Sequence, residues 1–595
     1  MSIRRFAMAL SLLTCALPIN AMPTHSTAAD TVTRLADEFV AEYKHRFPFT
    51  VMYTGLPLVV QSDIDINAPN ELMGWRRFVH SIEVQLDRIP ESKLIGRPQW
   101  ITRAYLKQGI VEARANEICR TELWQSNEWY SRLRWIADAQ PVKTPKDRLE
   151  AISRWRRLGG WIDQDAANLA EGLRRGYPGY RGGVEARIKQ IDALLAAPAE
   201  AWPTAALAKR ANDLELTRQL DEVKTNDLVP AAEQNRKFLQ DVYLPASRAT
   251  PSISNQPHGI ECIRARLLSS TTVDMDPKAT FEVLVARRQA ERAHILELAR
   301  QAYGLADLSW EDLRVHLGAD PRDKFRNSEE IRSTIEQVIE RARSALPKMV
   351  LTPPTGDIVV SPVPDYMIDS APDGQFFPPS DDGSRPATFA YKDAPSSFHR
   401  EVAESLTLHE TIPGHFLQAA MLAQNHGTPL HSITRLVLVE GSREGWATYA
   451  EKWAAELGLY SSPFDEMGSF VNSVTPSAVA DMGMQVMGWT VDQAGTYLHE
   501  ESLFSTNNDE RDWAADMASS PIYGSETYPI DALKYEAART RAQDALGSRF
   551  DAREYHQMLL SEGALPIPAL NSKVDRWITA HRKDALVEQP THILR

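Results

Sequence analysis

Cysteine is scarce in this chain: three residues in 595, at positions 15, 119 and 262. That excludes a disulfide-stapled scaffold and a cysteine-rich zinc site. Cys119 and Cys262 are free to pair or to stay as separate buried thiols, and the sequence does not choose between them. An apolar run long enough to cross a bilayer is also missing. The longest, Phe6–Ile19, has 14 residues, where a spanning helix needs about 20. Positive charge is in deficit, with 66 Lys and Arg against 79 Asp and Glu and a net charge of -13. An acidic chain with no dense basic cluster repels phosphate backbones, so nucleic acid is not an expected partner. Internal repeats and long low-complexity tracts are absent as well, which excludes solenoids and fibrous chains.

What remains is an ordinary globular composition, 43% hydrophobic and 24% charged, with ample material for a large core. Two arginines, a short apolar run and small residues open the chain in the manner of a secretory signal, with cleavage expected after Ala21 or Ala29. The mature protein is then expected to be periplasmic or secreted and without a transmembrane segment. Lipid attachment through Cys15 is a minority alternative, because Thr14 stands where such sites want a smaller residue. Residues 30–350 read mainly as helices. Asn327 begins one with Glu330 in the capping-box position, apolar residues follow from Ile331 to Leu346, and Pro347 is expected to end it. Trp100–Trp124 and Pro277–Tyr303 are further helical stretches. Val350–Tyr391 differs, being rich in turn residues with short extended pieces at Asp357–Val363 and Pro386–Tyr391. Helical patterning resumes near Phe398. The expected fold is a mainly α-helical body with one small β-sheet preceding a candidate metal-binding helix, a second region at 351–570 and a tail at 571–595.

The chemistry concentrates in Glu404–Gln418. His409, Glu410 and His415 surround Pro413-Gly414, a near miss to the zinc signature H-E-x-x-H, whose histidines lie four apart. On a regular helix six residues leave the two side chains about 120° apart and about 9 Å along the axis, too far to share an ion. Pro413 has no N–H and clashes with the carbonyl of His409, while Gly414 tolerates unusual backbone. Together they can break the helix and return His415 toward His409. Downstream, Glu440, Glu444 and Glu451 share one helix face in an apolar setting. A carboxylate there needs a partner, and two histidines with one glutamate form a known catalytic zinc set. His426, His431 and His499 lack a second histidine at the required spacing and read as surface or core residues.

These motifs resemble the bacterial family called domain of unknown function 885, grouped with gluzincin-type metallopeptidases. The matching segments are His409-Glu410-Thr411-Ile412-Pro413-Gly414-His415 with Gln418, then Glu444-Gly445-Trp446-Ala447-Thr448-Tyr449-Ala450-Glu451. Ser384-Arg385-Pro386, Phe550–His556 and Gly563–Pro566 agree too. The resemblance implies zinc, one ion per chain, on His409, His415 and Glu444, with Glu410 as general base. It also implies an oxyanion donor in Tyr535, with Tyr523 and Tyr528 as competitors. Four departures stand out: Phe416 replaces a second histidine, Gln485 replaces another, Asp531 replaces a glutamine, and 472–477 lacks the usual arginines.

The expected function is an exported zinc metallopeptidase acting on short peptides, carboxypeptidase-like or dipeptidase-like. One alternative is a non-catalytic, metal-containing peptide-binding protein, motivated by Gln485 and the absent arginines. Another is a zinc amidase acting on a modified peptide or envelope component.

Overall fold

The structure is a computed structural model. It describes residues 27–587 apart from 55, 59, 127, 365–367, 369–370, 381–384, 426–429, 504–506 and 520–523. The signal peptide as far as residue 26, with Cys15 in it, and Ser384 lie outside the described residues.

Helices dominate, as the apolar spacing predicts. The helix Ala28–Arg46 starts on a closed capping box: the Asp30 N–H donates to the Thr27 hydroxyl at 3.1 Å, and the Asp30 carboxylate accepts from the Thr27 N–H at 3.0 Å. Its buried face, Val32, Leu35, Ala36 and Phe39, meets the helices Pro69–Leu86 and Gln99–Cys119. That core continues without a break into Ser328–Met349, Glu440–Glu456, Thr527–Leu546 and Ile567–Val587. The division expected at residue 350 is therefore not a break in packing. Residues 571–587 are not a tail either: they continue the last helix, where Val574 and Ile578 are buried. A separate core gathers Trp129, Trp155, Trp161, Leu207 and Leu239 from the helices between Trp129 and Tyr243.

Two helix ends differ from expectation for identifiable reasons. Arg120 takes a left-handed conformation, φ 49°, and ends its helix at Cys119. Cys119 is joined there to Cys262 on the helix Gly259–Thr271. Ser328–Met349 runs past Pro347: the proline removes one bond, but the turn after it still closes, the Val350 N–H reaching the Leu346 carbonyl at 3.1 Å. Asn327 does accept the Glu330 N–H at 2.9 Å, but the Glu330 carboxylate turns to Arg326 and Arg400 instead of closing a capping box.

Among the described residues the small sheet has three strands, β1 (Ile358–Pro362), β2 (Gly374–Phe377) and β3 (Ala387–Tyr391), in the order β1-β3-β2. β3 runs parallel to β1, with Val360 opposite Phe389, and antiparallel to β2, with Phe376 opposite Phe389. The sequence shows β1 and β3 as extended pieces, whereas β2 is too short to show alternation. Phe389 and Tyr391 pack with Ile331, Ile335, Phe398 and Val402. The sheet is thereby clamped against the helix Arg400–Glu410, leaving the outer edge of β2 beside that helix's end. Among the described residues, no helix is long and apolar enough to cross a membrane.

Candidate metal centre

The six-residue histidine spacing is accommodated by a complete break. One helix ends at Glu410, Thr411 leaves helical conformation at φ -117° and ψ -103°, and a new helix starts at His415. Across the break the Gly414 N–H reaches the Leu408 carbonyl at 3.0 Å and the Leu417 N–H reaches Thr411 at 3.2 Å. Each spans six residues instead of the four of a regular helix. Only glycine fits at 414, since a Cβ there would lie 1.7 Å from the His409 carbonyl oxygen. The Trp446 indole N–H donates to the Gly414 carbonyl at 3.2 Å and ties the turn to the next helix. The result is two imidazoles with centroids 4.9 Å apart and planes at 89°.

Glu444, on the helix Glu440–Glu456, completes the group: its Oε2 lies 3.3 Å from Nε2 of both His409 and His415. The other two carboxylates of that face flank Glu444 and share its partners. Glu451 accepts a hydrogen bond from His409 Nδ1 at 2.8 Å, and Glu440 pairs with Arg443 at 2.7 Å. Holding the proton on Nδ1 leaves the His409 Nε2 lone pair for a metal, the second-layer arrangement found behind zinc-bound histidines. Burial opposes charge on His409, but Glu444 and Glu451 outweigh it and raise its pKa well above the usual value. Burial likewise opposes ionisation of Glu444, yet the two imidazoles hold its carboxyl far below the usual range.

The donor set fits zinc. Two imidazole nitrogens and one carboxylate oxygen converge, and four-coordinate zinc with bonds of about 2.0–2.1 Å places its ligand atoms about 3.3 Å apart. Glu410 stands next to this group, with ligand atoms of His409, Glu410 and His415 all within 4.8 Å of one another. Its Oε2 accepts the Phe376 N–H from the outer edge of β2 at 2.8 Å. All four side chains open onto a cavity of about 1260 Å³ whose walls come from both halves of the chain. Tyr105, Arg287 and Glu291 line it from the N-terminal helices, and 472–475 and Tyr528 from the C-terminal ones.

Tyr535 does not reach this cavity, correcting its assignment as oxyanion donor. It is buried between Trp446 and Tyr449, and its hydroxyl donates to the Ser442 carbonyl at 3.0 Å. Tyr528 takes the cavity-facing position, its ring stacked on His409 at 6.3 Å. Seven residues are two turns, so the tyrosines share a helix face, but Tyr535 lies about 10 Å deeper along the axis. Tyr523 falls outside the described residues. Burial and the Glu444 charge both push the Tyr528 hydroxyl up, so it keeps its proton.

The departures from the family pattern divide by depth. Phe416 is buried against Phe376, ring centroids 6.2 Å apart. Gln485 is fully buried, its main-chain carbonyl accepting from the Ser252 hydroxyl at 2.7 Å, and it does not line the cavity. Asp531 is buried behind Gly441 and Gly445, outside the cavity as well. The segment without arginines does line it, and there Ser473 and Thr475 donate to Glu291 at 3.0 and 2.8 Å. Glu291 is held in turn by Arg287 at 2.9 Å. His431 bonds Asp37 at 3.1 Å, and neither it nor His499 lines the cavity; His426 is outside the described residues.

A model of a bacterial protein family of unknown function, DUF885, matches residues 48–574. The fold is similar to that of a protein from Colwellia psychrerythraea described as a lipoprotein. Identity is 20% and the TM-score 0.79, covering 93% of this chain and 100% of that one. A protein from Shewanella oneidensis described as a lipoprotein of unknown function matches at 15% identity and TM-score 0.67, covering 91% and 99%. At these identities the likeness is one of fold. No curated protein matches the chain.

Proposed function

The chain belongs to the bacterial DUF885 family, and we propose that it is an exported, zinc-dependent metallopeptidase that hydrolyses short peptides. The observation that carries this reading is the convergence of His409, His415 and Glu444 beside Glu410 at the wall of a large cavity. A zinc ion held by those three residues would lower the pKa of water toward about 7 and polarise a carbonyl. Glu410 is placed to take the proton of an attacking water and pass it to the leaving amine. The Phe376 N–H fixes one oxygen of Glu410 and so sets the direction of the carboxylate. Glu451 holds the His409 ring in one tautomer. Tyr528, kept protonated, is placed to donate to a developing oxyanion. Cavity walls drawn from several helices favour a peptide of a few residues, cleaved in a carboxypeptidase-like or dipeptidase-like manner. Export rests on the leader sequence, and the fold's likeness to proteins described as lipoproteins accords with it.

The test is metal analysis of the mature protein together with digestion of a peptide mixture read by mass spectrometry, for wild type and Glu410→Gln. Zinc near one equivalent at this site and cleavage lost in the variant are expected. A protein without zinc, or one whose cleavage survives Glu410→Gln, defeats the proposal. One observation favours a second reading, a peptide-binding protein without turnover: the stretch 472–475 lines the cavity without a cation. It predicts peptide affinity that Glu410→Gln leaves unchanged. Zinc-dependent turnover confined to amides of modified peptides would point instead to an amidase.

A further inference from the structure

We propose that Asp323, His399 and Glu401 form a second divalent-cation site, of the zinc or manganese class, at the opposite end of the helix that ends in His409 and Glu410. His399 caps the amino end of that helix and Glu401 lies in its first turn. Eight residues separate Glu401 from His409, about 12 Å along the axis, so the two sites are distinct. The ligand atoms of Asp323, His399 and Glu401 all lie within 4.8 Å of one another. His399 Nδ1 is 2.7 Å from Asp323 Oδ1 and 3.8 Å from Glu401 Oε1. The backbone builds this meeting: the Arg400 N–H donates to the Asp323 carbonyl at 2.8 Å, and Lys324 pairs with His399 in an antiparallel bridge.

Burial gives the arrangement a use for a cation. Glu401 is 0% exposed and Asp323 6%, and the two carboxyls hydrogen-bond each other, which requires a proton between them. Two carboxylates meeting in a buried space repel unless a proton or a cation stands between them, and a metal ion would take the proton's place. Lys324 meets part of that need, its Nζ lying 3.1 Å from Asp323 Oδ2 and 3.0 and 3.3 Å from the two His399 nitrogens. It makes no hydrogen bond to Glu401, and its side chain is 41% exposed, so it can swing into solvent. One imidazole and two carboxylates suit zinc or manganese, whereas calcium takes six to eight oxygens. An ion there would tie the loop carrying Asp323 to the start of the metal-bearing helix and hold that helix along its length.

The experiment counts metal by equilibrium dialysis of the chelator-stripped full chain against zinc, and separately manganese, with folding checked by circular dichroism. Wild type is expected to hold two equivalents, and both Glu401→Gln and the His409→Ala/His415→Ala double variant one each. Lys324→Met is expected to keep two and bind the second more tightly, because the competing ammonium is gone. Zinc is expected to raise the melting temperature of the double variant, and that rise should vanish when Glu401→Gln is added. A folded double variant that binds neither metal overturns the proposal, as does a Glu401→Gln protein with the wild-type count. Should Glu401→Gln not fold, the double variant decides alone. One equivalent in wild type and none in the double variant would leave the first site standing without the second. One equivalent in both would do the reverse.

Discussion

Replacing Asp531 by asparagine should stabilise the protein, and by more as pH rises. Asp531 is fully buried on the helix Thr527–Leu546, and neither of its carboxylate oxygens has a hydrogen-bond partner. It faces the two glycines that let this helix approach Glu440–Glu456: a Cβ on Gly441 would sit 2.4 Å from Asp531 Oδ2, and one on Gly445 2.4 Å from its Cβ. Burial pushes the carboxyl well above the ordinary value, against the pull of Lys534 and with some help from Glu526. The folded protein therefore holds a proton that the unfolded chain releases above about pH 3.9. Stability from this group is fully present below that pH and falls by about 1.4 kcal/mol per pH unit up to the folded pKa. Asparagine has nearly the same shape and releases no proton. The stability gap between Asp531→Asn and wild type should consequently widen in the variant's favour between pH 5 and pH 7, by at most about 1.4 kcal/mol per pH unit. Urea unfolding of both proteins at the two pH values measures it, and the other buried acids cancel in the difference. A gap that stays constant between pH 5 and 7 would refute the reasoning, since it would mean that Asp531 is ionised in the folded protein.

Four further expectations concern the metal centre and its surroundings. Gly414→Ala places a Cβ 1.7 Å from the His409 carbonyl, so the break must reopen; metal analysis should show zinc affinity reduced at least tenfold even where circular dichroism shows the helices intact. Glu451→Gln weakens the acceptor behind His409 Nδ1 and should lower zinc affinity about 10–100-fold. In wild type, because His409 is held protonated without metal, zinc loading near neutral pH should release a proton, detectable as a buffer-dependent heat in calorimetry. Tyr528→Phe should cut kcat by roughly 10²-fold or more with little change in KM, while Tyr535→Phe, which loses the bond to the Ser442 carbonyl, should cost about 1 kcal/mol of stability and leave kcat nearly intact. Equal kinetic effects of the two would overturn the reassignment.

The contrast between the two tyrosines marks the limit of what local sequence spacing conveys. Pro413-Gly414 announced the helix break, because a missing N–H and a missing Cβ are properties of single residues and act on neighbours. The common face of Glu440, Glu444 and Glu451 was legible from helical periodicity in the same way. Their separate roles were not: Glu444 faces Nε2 of His409, Glu451 takes Nδ1 of that same histidine 42 residues earlier in the chain, and Glu440 pairs with Arg443. Position along a helix axis is likewise invisible to periodicity. Tyr528 and Tyr535 have equivalent phase, yet one borders the cavity and the other supports the helix pair behind it. Gln485 and Asp531 follow the same logic, since each falls in the buried layer. β2 escaped notice because four residues carry no alternation, although its Phe376 N–H holds Glu410. Substitutions that look catalytic in a motif alignment can therefore be substitutions in packing. On the proposed reading, the residues left to set specificity are those at the cavity wall, above all 472–475 with Arg287 and Glu291 beside them. There the serine and threonine hydroxyls bind Glu291 instead of projecting positive charge toward a substrate carboxylate. Any preference for a free peptide carboxylate must then come from cations elsewhere on the wall, of which Arg443, beside Glu444, is nearest to the metal ligands.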